Sequence, residues 1–151
     1  MCPVHADVLT YVYDTGKAVD PSFRPRVGEV LYNRGLATAM WTAEAIAKAM
    51  EIHKKKEVTG AGVRDGLEAL DITEERLEEL GFEGMLAPLK ITCSNHEGSG
   101  RAAIQQWQAE KGRWRLISGF YQPDREVTGP LVEADSGAYA KENHVTPRLC
   151  K

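Results

Sequence analysis

One long helical pattern constrains the fold more than any other feature of the sequence. Residues 27–53 read VGEVLYNRGLATAMWTAEAIAKAMEIH, and their apolar members recur every three or four residues at Leu36, Met40, Ala43, Ala47 and Met50. A helix of this kind gains most of its stability by burying its apolar stripe against other elements. The pattern therefore predicts a folded domain built on this helix, although Gly28 and Gly35 leave residues 28–34 open to an extended conformation.

Shorter patterns surround this helix and predict the order of the other elements. A helix is expected over residues 6–14, and Thr59 and Thr73 are expected to cap two more. Strands are predicted in APLKITCS (87–94), AAIQQWQAE (102–110) and KGRWRLIS (111–118), with Trp107 and Trp114 as cross-strand partners. A last helix is expected to open at Thr128 and Pro130. The expected class is α/β: helices, then a short antiparallel meander, then a final helix.

Composition and charge exclude several functional classes. The chain has 151 residues, a common size for one domain, and its net charge is −3, whereas a nucleic-acid-binding protein normally presents a basic face. No apolar run has the length needed to span a bilayer, and the first residues lack the pattern of a signal peptide. We therefore expect no nucleic acid as a partner. The three cysteines, Cys2, Cys93 and Cys150, permit one disulfide and one free thiol.

The stretch KITCSNHEGSG, residues 90–100, concentrates the reactive side chains of the sequence. Catalysis by Cys93 is disfavoured because His96 is three residues away, on the opposite face of an extended strand. A zinc site would combine this Cys-x2-His pair with Cys2-x2-His5, although neither spacing is usual for zinc. A phosphate-binding loop is disfavoured because the glycines precede an apparent strand. The favoured interpretation is a turn between two strands.

Four runs of the sequence resemble one protein family in order and spacing. They are VGEVLYNRGLATAMWTAEAI, TGAGVRDGLEALDITEERLEELGFEGM, APLKITCSNHEGSGRAAIQQW and YAKENHVTPRLC. The family comprises the substrate-binding proteins of branched-chain amino-acid type ABC transporters, also called type I periplasmic solute-binding proteins. Because its members have two lobes and are more than twice as long, the resemblance identifies residues 1–151 as the carboxy-terminal portion, without the amino-terminal lobe.

The resemblance implies a binding function in the periplasm. A branched-chain amino acid or related small carboxylate would be bound with the help of Tyr32, Asn33 and Arg34, and the whole protein would deliver it to a membrane permease. Cys93 and Cys150 would form a disulfide and leave Cys2 free. No catalysis, cofactor or metal is implied, and the isolated portion is expected to self-associate through the stripe of the long helix.

Two functional alternatives remain open beside this one. The chain could be a small module held together by a metal at the paired Cys and His residues, with a structural or interaction role. A cysteine-dependent enzyme is the third hypothesis, and the absence of a convincing nucleophile–base pair around Cys93 argues against it.

Overall fold

The computed structural model describes residues 2–98 and 100–150 of the chain. It divides into two compact units, the first of residues 1–98 and the second of residues 99–151. The first unit contains α1 (Pro3–Val8), α2 (Val30–His53), α3 (Gly60–Leu67), β1 (Asp71–Ile72), α4 (Glu74–Glu79) and β2 (Leu89–Lys90). The second contains β3 (Gln105–Gln108), β4 (Arg113–Leu116) and α5 (Arg125–Glu142). The described residues thus form a mixture of helices and short strands.

The helix ends of the first unit follow from local chemistry. The Thr59 hydroxyl accepts a hydrogen bond from the Gly62 amide at the start of α3, and Thr73 accepts one from the Arg76 amide at the start of α4. Each threonine satisfies an amide that the first helical turn leaves unpaired. Gly81 follows α4 with a φ of +73°, a left-handed conformation that glycine adopts without strain. These predicted boundaries are confirmed.

The long predicted helix is confirmed as α2, but its buried face is not the predicted stripe. Its buried residues are Ala37, Met40, Ala45 and Ala49, while Ala43 and Ala47 are exposed. The spacing pattern fails here because α2 contains alanine on several faces, so packing by its neighbours decides which alanines are covered. Trp41 packs at the margin of the core.

The core of the first unit lies where α2, β1 and α4 meet. It consists of Met40, Ala45, Leu70, Ile72, Leu77 and Phe82, with further apolar side chains packed around it. Beside it, α3 approaches α2 closely because small residues face each other. Ala45 and Ala49 are fully buried, and Gly66 lies directly over their backbone. The close helix pair therefore depends on residues without large side chains.

The second unit contains a hairpin and a helix. In the hairpin, Gln105–Gln108 pairs antiparallel with Arg113–Leu116, and Trp107 lies opposite Trp114 with ring centroids 5.5 Å apart. The predicted cross-strand tryptophan pair is confirmed. The last helix starts earlier than predicted, because the Asp124 carboxylate caps it by accepting from the Glu126 amide. Pro130 lies within the helix rather than at its first turn.

The predicted strands do not pair as one meander among the described residues. β2 pairs antiparallel with β1, and β3 pairs only with β4. Sequence reasoning missed β1 because two residues between two helices carry no alternating pattern. Two small antiparallel sheets are compatible with many folds, so the type I periplasmic-binding-protein fold stays a prediction.

Candidate functional site

The three predicted ligand residues lie in the first turns of α2. Tyr32 is half-buried, and its hydroxyl donates a hydrogen bond to the Tyr13 hydroxyl at 3.3 Å. Asn33 is also half-buried, whereas Arg34 is exposed. Tyr32 and Asn33 are thus engaged with the first segment of the chain, and the ligand role of all three residues stays a prediction.

The environment of Tyr32 changes the acidity of its phenol. Burial disfavours the charged phenolate and, together with the hydrogen bond to Tyr13, raises the pKa of Tyr32 to about 12. The neutral phenol is therefore the form that the fold stabilises, and Tyr32 contributes a hydroxyl rather than a charge near the start of α2.

Asn33 belongs to a polar cluster that the sequence did not predict. His5 is buried, with 6% of its surface exposed, and its Nε2 lies 2.7 Å from Oδ1 of Asn33. The Asn33 amide nitrogen donates to the Gly28 carbonyl at 3.1 Å, which orients its oxygen toward His5. Nε2 of His5 therefore carries the proton and donates it, so Nδ1 keeps a free lone pair in the neutral ring.

The sulfur of Cys2 lies beside this histidine and also contacts a second sulfur. Sγ of Cys2 is 3.6 Å from Nδ1 of His5 and 3.8 Å from Nε2. The same sulfur lies 3.9 Å from Sδ of Met85, which comes from the segment after α4. Cys2 is a free, half-buried cysteine. Cys2, His5, Asn33 and Met85 form what we call the Cys2–His5 cluster.

A local signal in the sequence could have revealed the Cys2–His5 cluster. Pro3 occupies the first turn of α1 and Cys2 precedes it as the N-cap, so that His5 falls three residues later on the same side of the helix. The helix was instead predicted to begin at residue 6, which left Cys2 and His5 in an apparent loop. The contacts with Asn33 and Met85 are long-range and have no sequence signature.

The stretch 90–100 forms a turn, but not between two paired strands. Thr92 and Asn95 bridge to each other, and Oδ1 of Asn95 accepts from the Glu97 amide. Gly98 has a φ of +68°, as its predicted turn role requires. Ser99 lies outside the described residues. Nε2 of His96 lies 3.7 Å from the carboxylate of Glu68, the residue at the end of α3.

The zinc alternative is not supported. Among the residues that the structure describes, no three His, Cys, Asp or Glu side chains are grouped so that they could hold a metal ion. Cys2 and His5 lie together on α1, but Cys93 and His96 do not complete a four-ligand set with them. The described residues therefore give no support to a module stapled by zinc.

The disulfide between Cys93 and Cys150 stays a prediction. Cys2 is free, as expected for the thiol left over from a Cys93–Cys150 pair. The pairing itself is tested by the experiment described in the Discussion.

A groove of about 370 Å³ lies between α2, β1 and α4. Its charged residues are largely paired: Arg76 donates to both carboxylate oxygens of Glu44, at 3.0 and 2.7 Å, and Lys48 pairs with Glu51 at 2.9 Å. Hydrogen bonds from Arg76 to Glu44 and then to Glu79 raise the pKa of Arg76 above its ordinary range. These ion pairs therefore neutralise most of the charge that lines the groove.

Comparison with known proteins places the chain near a transport protein. A solved structure described as an ABC transporter permease from the Pseudomonas fluorescens group matches 99% of the chain with a TM-score of 0.82 and 36% sequence identity. The chain spans 35% of the length of that protein. No protein-family model and no curated protein matches the sequence. Within residues 2–98 and 100–150, no helix combines the length and apolar character of a membrane span.

This match corrects the resemblance stated from the sequence. The runs around YNRG and CSNHEGSG resembled a periplasmic substrate-binding protein, but the matching structure is described as a permease, the membrane component. The assignment to a solute-binding component is therefore wrong, and so are the descriptions of the chain as a substrate-binding and periplasmic binding protein. The transport context and the ABC-transporter relation agree with the match.

Proposed function

We propose that this chain functions within an ABC transport system, as part of a protein related to the matched permease, and that it acts by association rather than by catalysis. The observation that carries the proposal is the match at 36% identity over 99% of the chain, with a TM-score of 0.82. Identity at this level across nearly every residue supports a relation beyond a shared fold. The activity and partners of the whole matched protein come to this chain only as part of the proposal.

The second unit supports a role in association. None of its described residues is buried, and apolar side chains on α5 such as Val127 and Leu131 are each about 60% exposed, at 60% and 61%. The exposed Trp107–Trp114 pair adds two large aromatic rings. Exposed apolar surface of this extent is typical of regions that contact other polypeptide. We infer that further protein of the transporter covers it.

Cross-linking in the organism that encodes the chain tests the proposal. The chain is tagged at its chromosomal locus, membranes are cross-linked, and the captured proteins are identified by mass spectrometry. We expect an ATP-binding transporter subunit, recognised by its phosphate-loop peptide, to be enriched over an untagged strain. A chain with Val127→Asp and Leu131→Asp should lose this enrichment, whereas Val19→Asp, at an isolated exposed position, should keep it.

Gene disruption gives an independent result. Uptake of a panel of labelled small solutes is measured with and without the gene. Loss of ATP-dependent uptake for one class of solute, restored by a plasmid copy, supports the proposal. Unchanged uptake across the panel, together with no ATP-binding subunit in the cross-linked material, contradicts it.

A further inference from the structure

The Cys2–His5 cluster combines two soft sulfur ligands with an imidazole nitrogen. Cys2 provides a thiol, Met85 a thioether and His5 an imidazole nitrogen. Thiolate and thioether sulfur favour soft ions such as Cu(I), and imidazole also binds copper. We propose that Cys2, His5 and Met85 form a binding site for Cu(I), independent of the proposed role in transport.

The distances from Cys2 to His5 and to Met85 are near those between two ligands of one ion. Metal–sulfur and metal–nitrogen bonds of about 2.3 and 2.0 Å place S and N ligands of one ion about 3.5–3.7 Å apart, and two sulfur ligands about 3.8–4.0 Å apart. In the structure, Sγ of Cys2 lies 3.6 Å from Nδ1 of His5 and 3.9 Å from Sδ of Met85. The sulfur of Cys2 therefore lies close to both other ligands, and binding requires only a rotation of its own side chain.

Asn33 fixes His5 in the form that binds a metal. Its Oδ1 accepts the Nε2 proton at 2.7 Å, which leaves Nδ1 as the nitrogen with a lone pair on the side of Cys2. Metal-binding histidines commonly donate their other ring N–H to such an acceptor, which orients the ring and increases the basicity of the ligand. The Gly28 carbonyl holds the Asn33 amide in turn.

One side chain has to turn for the ion to bind. Sγ of Cys2 is almost as close to Nε2 of His5, at 3.8 Å, as to Nδ1, so it lies alongside the ring rather than on the Nδ1 lone-pair axis. Cys2 makes no capping hydrogen bond with its sulfur, and rotation about its Cα–Cβ bond breaks no such bond. On binding, the thiol releases its proton and the thiolate coordinates Cu(I) without a change in oxidation state.

The surroundings favour a soft ion over a hard one. His5 is buried, while Cys2 and Met85 are half-buried, so an ion can enter from the sulfur side. No group of three His, Cys, Asp or Glu side chains lies at this or any other place in the described residues, which leaves the thioether as the third ligand. Hard cations prefer oxygen ligands and gain little from a thioether.

Titration of the full chain with Cu(I) tests the site. Ascorbate keeps the copper reduced, a chromophoric chelator competes for it, and Ag(I) serves as a probe that is not redox-active. We expect one ion per chain. Cys2→Ser and Met85→Leu should each weaken binding at least tenfold, and Asn33→Leu roughly tenfold or more, because its loss frees the His5 tautomer.

Matched controls keep the result interpretable. His96→Gln and Met50→Leu remove a histidine and a thioether elsewhere and should leave the affinity unchanged. Circular dichroism establishes that each variant is folded, and comparison with Cys2→Ser subtracts any binding by Cys93 or Cys150. The proposed site is overturned if Cys2→Ser binds Cu(I) as tightly as the unaltered chain. It is also overturned if Met85→Leu does so. Neither outcome bears on the transport role, which is tested by cross-linking and uptake.

Discussion

Tyr32 shows how the fold sets the chemistry of a single side chain. Its pKa is raised to about 12 by burial and by the Tyr13 hydroxyl, whereas an unfolded tyrosine titrates near 10. The folded chain thus holds the proton more tightly than the unfolded chain. The resulting stabilisation is fully present below pH of about 10 and is lost as pH rises toward about 12.

Alkaline titration followed by phenolate absorbance should therefore show one late tyrosine. Tyr32→Phe should remove that late phase, and Tyr139→Phe, on the exposed surface of α5, should leave it in place. Unfolding by urea should show stability falling between pH of about 10 and 12 in the unaltered chain, with a smaller fall in Tyr32→Phe. A late phase that persists in Tyr32→Phe contradicts the assignment.

The cysteines give a second prediction for single residues. As the sequence resemblance implied, we expect Cys93 and Cys150 to pair under oxidising conditions and to leave Cys2 free. Closing a loop of this length stabilises the fold by about 4 kcal/mol in the chain-entropy model. Mass spectrometry of a non-reduced digest checks the pairing, and a peptide linking Cys2 to either of the others rules it out.

Residue roles were predictable from sequence only where their contacts are local. Thr59 and Thr73 cap helices because their partners lie three residues away. Asn33 was predicted to meet a ligand, yet its side chain contacts His5, 28 positions earlier. No spacing rule relates residues so far apart, so the contacts of Asn33 and Met85 with the Cys2–His5 pair could be recognised only in three dimensions.

At the scale of elements, the pairing of α2 with α3 depends on Gly66. A methyl group at Gly66 would overlap the Ala45 carbonyl oxygen and would lie 2.9 Å from the Ala49 amide nitrogen. Both are backbone atoms, which cannot move aside. We expect Gly66→Ala to destabilise the chain by about 1–3 kcal/mol, the range for overpacked cores. Urea unfolding measures this loss.

Gly62 on the same helix is the matched control. A methyl group there meets the His53 ring at 3.3 Å and Val58 at 3.6 Å, and both are side chains that can adjust. Since alanine favours a helix by up to about 1 kcal/mol over glycine, Gly62→Ala should be neutral or stabilising. If Gly62→Ala and Gly66→Ala lower the free energy of unfolding equally, the close approach of the two helix backbones does not determine the destabilisation.

The elements that sequence reasoning located are those with a strong periodic or capping signal. The helix α2 and the starts of α3 and α4 were predicted because they repeat over several turns or open with a capping threonine. The two-residue strand β1 has neither signal, and β2 was therefore assigned to the wrong partner. Pro130 was assigned to a helix start, where proline is common, but the Asp124 cap comes earlier and determines the boundary.

At the scale of the whole molecule, the order of the sequence runs indicated the ABC-transporter context better than the role of the chain within the transporter. Four runs in register predicted an ABC-transporter protein, and the matched structure supports that relation. The component of the transporter that the runs predicted was wrong. Short runs around turns and helix starts reflect how a chain folds. They do not record which partner it meets, which depends on surface shape and on polypeptide beyond this chain.

Exposed apolar surface lies on different elements from the one that the sequence predicted. The stripe of α2 was expected to be uncovered, but Met40 is buried and Leu36 and Met50 are half-buried. Exposure is instead concentrated in the second unit, on β4 and α5, where Trp114, Leu131 and Tyr139 are each more than 60% exposed, at 62%, 61% and 63%. A helix such as α5 gains little stability until its apolar side chains are covered.

We therefore expect the isolated chain to self-associate and to bind a hydrophobic dye through the second unit. Val127→Asp with Leu131→Asp should lower both dye fluorescence and the mass seen by light scattering, because charge at these positions opposes burial. Val19→Asp changes a more exposed valine outside the second unit and should leave both unchanged. A monodisperse monomer without dye binding would mean that the second unit is stable as it stands, and the inferred covering by other transporter protein would then lose its physical basis.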